Sequence, residues 1–465
     1  MFTIRTGFLG LLALLLTACQ THNSLELQDK FVQFERSSRL ALQQNLGDEL
    51  QLRESILADA VNRPDTLNVN SIFDAQQLAL QHSPRVAAIL LDLGIHEAET
   101  IQNYIAENPG FELSLMRPEH GGRWEMEVSL SLGLLSWLSR HTRQALSDSE
   151  SSVWQMQAWQ LLSDELTQVR HYWLQALASK QKLNTYGELY ESAMVAADFA
   201  QLLFDAGNIS ELELLGSQSI AAQRRAQHIQ AQLLADKKTS DLQLILGLTH
   251  VAAISLPDQL PVVEPILSES IATQTTRVLE LAQQHQPALL LLAKEQQKNQ
   301  DALALALRQI SLRQSGVELV TERKSSGERQ LGFGLSLAPP VFDNGDAELT
   351  VLQGRVQRTL NQQQLLIEQT ASQIQNALLD IQSSLQQIDL LTQDEIPRYQ
   401  RMMDLSVLEY NFMLRGTFDL LAVADRTLDA KLRQIDVIEQ YWRARSTLEN
   451  LAGSQDWHSN SGVTE

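Results

Sequence analysis

Two stretches of this chain abandon a helical rhythm for strict two-residue alternation, and each is arranged as a hairpin. In the first, Phe111, Leu113 and Leu115 alternate with Glu112 and Ser114. A turn follows at Pro118 to Gly122, and Trp124, Met126, Val128, Leu130 and Leu132 then alternate with Glu125, Glu127, Ser129 and Ser131. In the second, Val317, Leu319 and Thr321 lead into a polar turn from Glu322 to Gln330. Leu331, Phe333, Leu335 and Leu337 then alternate with Gly332, Gly334 and Ser336. A period of two sends successive side chains to opposite sheet faces, so residues 111–134 and 317–337 each predict strands with one apolar and one polar face. Membrane β-barrel strands have this signature; a soluble hairpin laid on a helix alternates as well.

The hairpins sit among helices of unusual length. No proline interrupts the chain between Pro118 and Pro257, and Leu161, Leu166, Val169, Trp173 and Leu177 keep helical spacing. A helix is predicted over 139–204, about 100 Å at 1.5 Å per residue. Asp205 to Ser210 break it, and a shorter helix returns over 211–246. The second half repeats the plan, with helices over 347–414 and 418–451 joined by Arg415-Gly416-Thr417. Pro397 lies inside the longer of these and should mark a kink, because it removes one backbone donor.

The halves are copies. Leu78, Ala79, Gln81, His82 and Pro84 recur as Leu281, Ala282, Gln284, His285 and Pro287, 203 residues on. Leu130-Ser131-Leu132 recurs as Leu335-Ser336-Leu337 at an offset of 205, and Gly207 pairs with Gly416 at 209. Leu246-Gly247 matches Ala452-Gly453. Marks in one order at nearly constant spacing imply tandem duplication. The reading is a lead segment over 19–72, a first repeat over 73–255, a linker over 256–270, a second repeat over 271–453 and a polar tail over 454–465.

The N-terminus indicates export. Arg5 precedes an apolar run from Gly7 to Leu16, and Leu16-Thr17-Ala18-Cys19 fits a lipoprotein cleavage box. Residues 1–18 are read as the signal and Cys19 as the acylated residue. It is the sole cysteine, so the mature protein has no disulfide. With 56 acidic and 36 basic residues the net charge is −20, which disfavours nucleic acid as a partner. No later stretch reaches the roughly 18 unbroken apolar residues of a membrane helix, so any further crossing must be by strands. Two hairpins at matching positions in an exported, acylated chain favour the membrane reading over the soluble one.

Four strands cannot close a barrel, and closed membrane barrels start at about eight. Open edges in lipid leave backbone groups unsatisfied at several kcal/mol each. The strands must therefore be pooled among copies. The fold class is mainly α with a small β part: long antiparallel helical hairpins forming an α-barrel, plus four strands per chain contributed to a shared transmembrane β-barrel. Helices of about 100 Å exceed a bilayer of about 30 Å and must project into the periplasm.

At this point the sequence resembles the outer-membrane efflux proteins of Gram-negative bacteria, the TolC-like family. The matching features are the two hairpins and Pro339-Pro340-Val341-Phe342-Asp343-Asn344-Gly345 after the last strand. Pro397 followed by Gly416, and the tips Gly207-Asn208-Ile209-Ser210 and Gly416-Thr417-Phe418-Asp419-Leu420-Leu421, complete the set. The resemblance covers roughly residues 72–453. It implies a homotrimer with a 12-stranded barrel in outer-membrane lipid, and a helical tunnel docking a periplasmic adaptor and an inner-membrane pump. The tips Gly207, Asn208, Gly416 and Thr417 would make the adaptor contact. The lipobox is similar to the branch serving drug or metal efflux.

Aligned on Gly416, the family's two pore aspartates fall on Ala422 and Asp425, its gate arginine on Phe418, and the pairing first-half acid on Glu213. Only Asp425 keeps the pore pair, so the resemblance leaves closure to Phe418 packing and a ring of Asp425.

No catalytic motif is present: no HExxH, GxSxG, phosphate loop or GxGxxG. No cofactor or metal is implied, and the chain does not read as an enzyme. The duplicated His82 and His285 suggest a structural role beside their prolines. Met402, Met403 and Met413 are better read as core filling than as soft-metal ligands. Two other functions fit parts of the pattern: a type I protein-secretion channel, which uses the same duct, and a poreless coiled-coil lipoprotein spacer.

Overall fold

The computed structural model describes residues 67–104, 108–117, 124–133, 139–248, 253–263, 270–309, 316–324, 326–336, 344–412 and 414–453. The signal sequence, Cys19, nearly all of the lead segment, much of the linker and the tail lie outside these residues. The chain divides into two compact units, 1–67 and Asn68–Glu465, and every element treated below belongs to the second.

The first repeat opens with α1 (Ile72–His82) and α2 (Pro84–Tyr104). Ser71 caps α1: its hydroxyl accepts from the Asp74 N–H while the Asp74 carboxylate accepts from the Ser71 N–H. Strands β1 (Gly110–Met116) and β2 (Glu125–Gly133) follow, then α3 (Arg140–Asp205) and α4 (Glu211–Ile245). The second repeat has α5 (Ile271–His285), α6 (Pro287–Gln309), β3 (Gly316–Arg323) and β4 (Arg329–Ser336). It ends with α7 (Asp346–Leu390), α8 (Ile396–Asn411) and α9 (Thr417–Ala452).

The duplication is tighter in structure than in sequence. Gly110 and Gly316 begin β1 and β3, and Arg140 and Asp346 begin α3 and α7. Glu211 and Thr417 begin α4 and α9; each pair is 206 residues apart. Gly247 and Gly453 keep the same offset, both left-handed at φ +72° and +67°. Gly207 and Gly416 do not match each other. Gly207, at φ +76°, ends the ascending helix, whereas Gly416 is the extended N-cap of α9 and the true counterpart of Ser210, the N-cap of α4. Exposed glycines near helix ends look alike in sequence; the backbone separates them.

The helices are as long as the missing prolines foretold. The 66 residues of α3 run unbroken, about 100 Å by helical rise. In the second copy the same length is jointed: α7 passes into a five-residue π-turn, Leu391–Glu395, before α8 continues. The Ile396 N–H reaches back five residues to the Leu391 carbonyl, and Pro397, which has no N–H, sits in the first turn of α8. The expected kink is a local change of helical pitch around the lost donor.

Packing concentrates around mid-length. Trp173, Leu174, Leu177 and Leu242 are fully buried on α3 and α4. The Trp173 indole donates to the Val69 carbonyl at 3.2 Å, and the Val69 N–H donates to the Ser255 carbonyl at 2.9 Å. In the second copy Ile374, Leu378 and Ile381 of α7 pack with Tyr441 and Leu448 of α9. Lys180, Gln181 and Trp442 fasten the start of the linker at Leu256, Leu260 and Pro261. No described helix is long and apolar enough to cross a membrane.

The histidine pair and the glycine pair meet. A Cβ on Gly247 would stand 2.1 Å from the His82 carbonyl oxygen, and one on Gly453 would stand 2.4 Å from that of His285. The duplicated histidines thus mark helix ends whose backbones receive the last turn of the same repeat.

Candidate functional site

The sheet is one candidate surface. Its strands form a single antiparallel sheet ordered β1-β2-β3-β4, so the two hairpins pair through β2 and β3. Register places Phe111 opposite Leu130, Leu130 opposite Leu319 and Leu319 opposite Phe333. The neighbouring row runs Leu113, Val128, Thr321, Leu331. Most apolar residues of the strands thus share one face, with Met116 and Val320 on the other, and none of the described residues covers it: Phe111, Leu331 and Phe333 are 69%, 70% and 69% exposed. An apolar face of this extent needs a partner or lipid.

The face has a rim. Arg117 lies over the Trp124 ring at 5.8 Å, and Arg323 is paired with Arg329, all at the turn end. Seven to nine residues per strand span about 23–30 Å, close to the apolar band of an outer-membrane barrel of about 25 Å.

The opposite face carries Glu112, Glu125, Glu127, Glu318 and Glu322, with Glu127 directly opposite Glu322. Gly332 and Gly334 keep this face low beside Val320 and Glu318. No lysine or arginine of the described strands falls on it. The outer edges of β1 and β4 have no strand partner among the described residues.

The helix tips are the second candidate. At the first, Ala206, Gly207 and Asn208 donate to the carbonyls of Leu202, Phe204 and Leu203, closing α3. Gly207 and Asn208 are exposed, and a Cβ on Gly207 would meet nothing within 4 Å. Glu213 is the third residue of α4. Its carboxylate accepts from the Ser210 N–H at 2.8 Å while the Ser210 hydroxyl accepts from the Glu213 N–H at 3.3 Å. This capping box was legible in Ser210-Glu211-Leu212-Glu213, and it commits the acid to its own helix start.

At the second tip the Leu414 N–H donates to the Glu409 carbonyl at 2.9 Å, and Arg415 pairs with the Glu409 carboxylate. Gly416 is exposed. The side chains of Thr417 and Phe418 lie outside the described atoms, as does Met413. Met402 is 38% exposed, contrary to the expectation that it fills a core.

Asp425, expected from the resemblance to line a pore ring, has a partner within the chain. Its carboxylate is 2.5 Å from the Arg224 guanidinium, so an acid of the second repeat is neutralised by a base of the first. Arg224 also donates to the Gln227 side chain at 2.6 Å. No spacing rule connects residues 201 apart, which is why the pair escaped sequence reasoning.

Above this pair, the C-terminal half of α9 is bonded to α3. Lys431 faces Glu188 at 3.7 Å, Lys182 pairs with Asp436, and Arg170 pairs with Glu449, which also accepts from Arg445 at 3.1 Å. The Ser163 hydroxyl donates to Asn450 at 2.8 Å. Partial burial, with the Arg443 and Arg170 charges, holds the His171 imidazole below its usual pKa. Desolvation pushes the Glu439 carboxyl up.

No family model and no curated protein matches the sequence. Solved structures do match. The Campylobacter jejuni CmeC outer membrane channel superposes with a TM-score of 0.67 at 15% identity, over 83% of this chain and 86% of that one. VceC, an outer membrane protein of Vibrio cholerae, gives 0.67 at 14%, over 82% and 96%. The open state of the Neisseria gonorrhoeae MtrE outer membrane channel gives 0.56 at 12%, over 83% and 89%. The fold is that of the TolC-like outer-membrane channels. At such low identity the superposition concerns the backbone course; the Arg224–Asp425 pair and the Glu213 cap belong to this chain's own side chains.

Proposed function

We propose that this protein is the outer-membrane exit channel of a tripartite efflux system, passively conducting small molecules or ions handed over by a periplasmic adaptor and an inner-membrane pump. The observation that carries the reading is the sheet: a registered apolar face and two strand edges that no described residue covers or pairs, and an acidic opposite face. Lipid satisfies the first, water the second and neighbouring copies the third. Three copies would pair β4 of each with β1 of the next and close 12 strands. The acyl group on Cys19 adds a lipid anchor, and the tips Gly207, Asn208, Gly416 and Thr417 form the adaptor-docking end. Closure at that end rests on Phe418 packing and on the Arg224–Asp425 pair, with Glu213 fixing the start of α4.

Purified protein should give discrete conductance steps in planar lipid bilayers and run as a heat-resistant, β-containing trimer. A water-extractable helical monomer without conductance would establish the spacer reading in its place.

Five carboxylates per chain on the lumen face, where no lysine or arginine of the described strands lies, should make the pore cation-selective. In a tenfold KCl gradient the reversal potential should have the sign for cations. The double substitution Glu127→Gln, Glu322→Gln should move it toward zero without loss of the trimer. An anion-selective wild type would exclude this lining.

Asp425→Asn removes the charge that holds Arg224 across the repeats. Single-channel conductance should rise, and Arg224→Gln should raise it similarly, since either change breaks the same pair. If Asp425→Asn raises conductance and Arg224→Gln lowers it, Asp425 acts as a free pore acid and the pairing is wrong.

A further inference from the structure

The duplication calls for two contacts between repeats, and a single chain makes one of them. The second repeat rests on the first: β3 pairs with β2, and α9 packs on α3 as well as on α7. The reverse contact would set β4 against β1 and α4 against α7. Among the described residues those strand edges are unpaired, and α4 packs on α3 with no comparable footing on α7.

α4 nevertheless carries a second apolar side. Leu215, Ile229, Leu233 and Leu244 are each more than half exposed. At about 100° per residue they fall within about 60° of one another. Ala221, Ala235 and Leu242, on the other side of the helix, are buried. A helix apolar on two sides is suited to two partners.

The second repeat shows what covers such a face. At an offset of 206, Leu215 and Ile229 correspond to Leu421 and Ile435, both buried. Leu244 corresponds to Asn450, which accepts from Ser163 of α3. The matching face of α9 therefore lies on α3. The counterpart of α3 is α7, where Leu365, Leu379 and Leu390 form an exposed stripe of their own.

The ion pairs between α9 and α3 give the register. Lys431–Glu188, Lys182–Asp436 and Arg170–Glu449 shift by 206 residues to Arg225–Asp394, Ile388–Gln230 and Asn376–Gln243. The first keeps its opposite charges. Arg225 is exposed and no described residue pairs with it. Asp394 holds Arg398 of its own segment at 2.6 Å, and a carboxylate has lone pairs left for a second donor.

We propose that α4 of one subunit lies along α7 of the next, apolar stripe on apolar stripe, with Arg225 bonded to Asp394 across the boundary. This seam differs in kind from its counterpart inside the chain. Apolar burial holds it, uncharged side chains replace two of the three ionic rungs, and the remaining rung fixes how far one helix slides along the other. The proposal rests on the channel reading only in taking the partner to be a second subunit.

The experiment is thiol cross-linking of the full-length protein in its own membrane, read on non-reducing gels. Cys19 is the sole native cysteine, so the wild type is the unlinked control. Arg225→Cys with Asp394→Cys should give reducible dimers and trimers under mild oxidation. Arg225→Cys with Ser383→Cys, displaced about 16 Å along α7, should give none. Ile229→Arg should lower the trimer fraction by about tenfold or more while helical content stays that of the wild type, because the side chain is exposed in one subunit. Linking through 383 in place of 394, a link closed within one subunit, or a trimer indifferent to Ile229→Arg overturns the seam. A conducting trimer that does not link through 225 and 394 also overturns it and leaves the channel standing. A protein that links in this register yet never conducts refutes the channel reading and leaves the seam in place.

Discussion

Arginine at position 333 should keep the protein out of the outer membrane. Phe333 ends a row that runs Phe111, Leu130, Leu319, Phe333 across all four strands, and it is 69% exposed in the chain by itself. If lipid covers that face, each copy carrying Phe333→Arg places a guanidinium about midway along the apolar band, at a cost of about 2–4 kcal/mol. A symmetric assembly incurs this once per copy. The Arg117–Trp124 rim is too far along the strand for the new side chain to reach the headgroups readily. Membrane fractionation and unheated gels should show the trimer lost and the protein retained in the periplasm or degraded. Gln330→Arg, one strand turn away on the acidic face, should leave the trimer intact because that face meets water. Equal tolerance of the two arginines would mean that the apolar face does not contact lipid, and the transport reading would go with it.

The second large effect concerns the glycine clasps. Gly247→Ala or Gly453→Ala demands a left-handed backbone from alanine and places its Cβ within 2.1 or 2.4 Å of a histidine carbonyl oxygen. Backbone strain there costs about 1–3 kcal/mol. The clash adds a comparable amount, because main chain cannot step aside as a flexible side chain can. Gly207→Ala provides the comparison: the same left-handed φ with open space around the added carbon, so strain acts alone at about 1 kcal/mol. Thermal melting of the detergent-solubilised protein, followed by helical circular dichroism, should rank Gly247→Ala and Gly453→Ala well below Gly207→Ala. Near-identical melting of all three would show that the close approach to His82 and His285 does not stabilise the repeats.

Much of the architecture was open to a reader of the chain because its signals are periodic and local. Alternation at 111–134 announced strands, and absent proline announced a helix over 139–204, one residue short of its observed end at Asp205. Pro397 announced a break, though not that the backbone would absorb it as a π-turn, whose side-chain partners Arg433 and Gln434 lie far along the chain. The tips were less legible. Gly207 and Gly416 were matched as residue types, while the conformations match Ser210 with Gly416. Asp425 carried no mark of Arg224 as its partner. Glu213 is the opposite case: its capping motif stood in the sequence, and alignment to a distant gate drew attention from it. Met402 shows the limit of composition, since a flexible apolar side chain near a tip suits a core and a surface equally.

The glycine contacts have one more implication. His82 receives Gly247, and His285 receives Gly453, so each copy ties its own tail to its own head. Topologically the polypeptide is two closed circuits in series, and the stretch between them completes neither. A break there would leave both circuits shut, still joined by the β2–β3 pairing, the Arg224–Asp425 pair and the ties between α3 and α9.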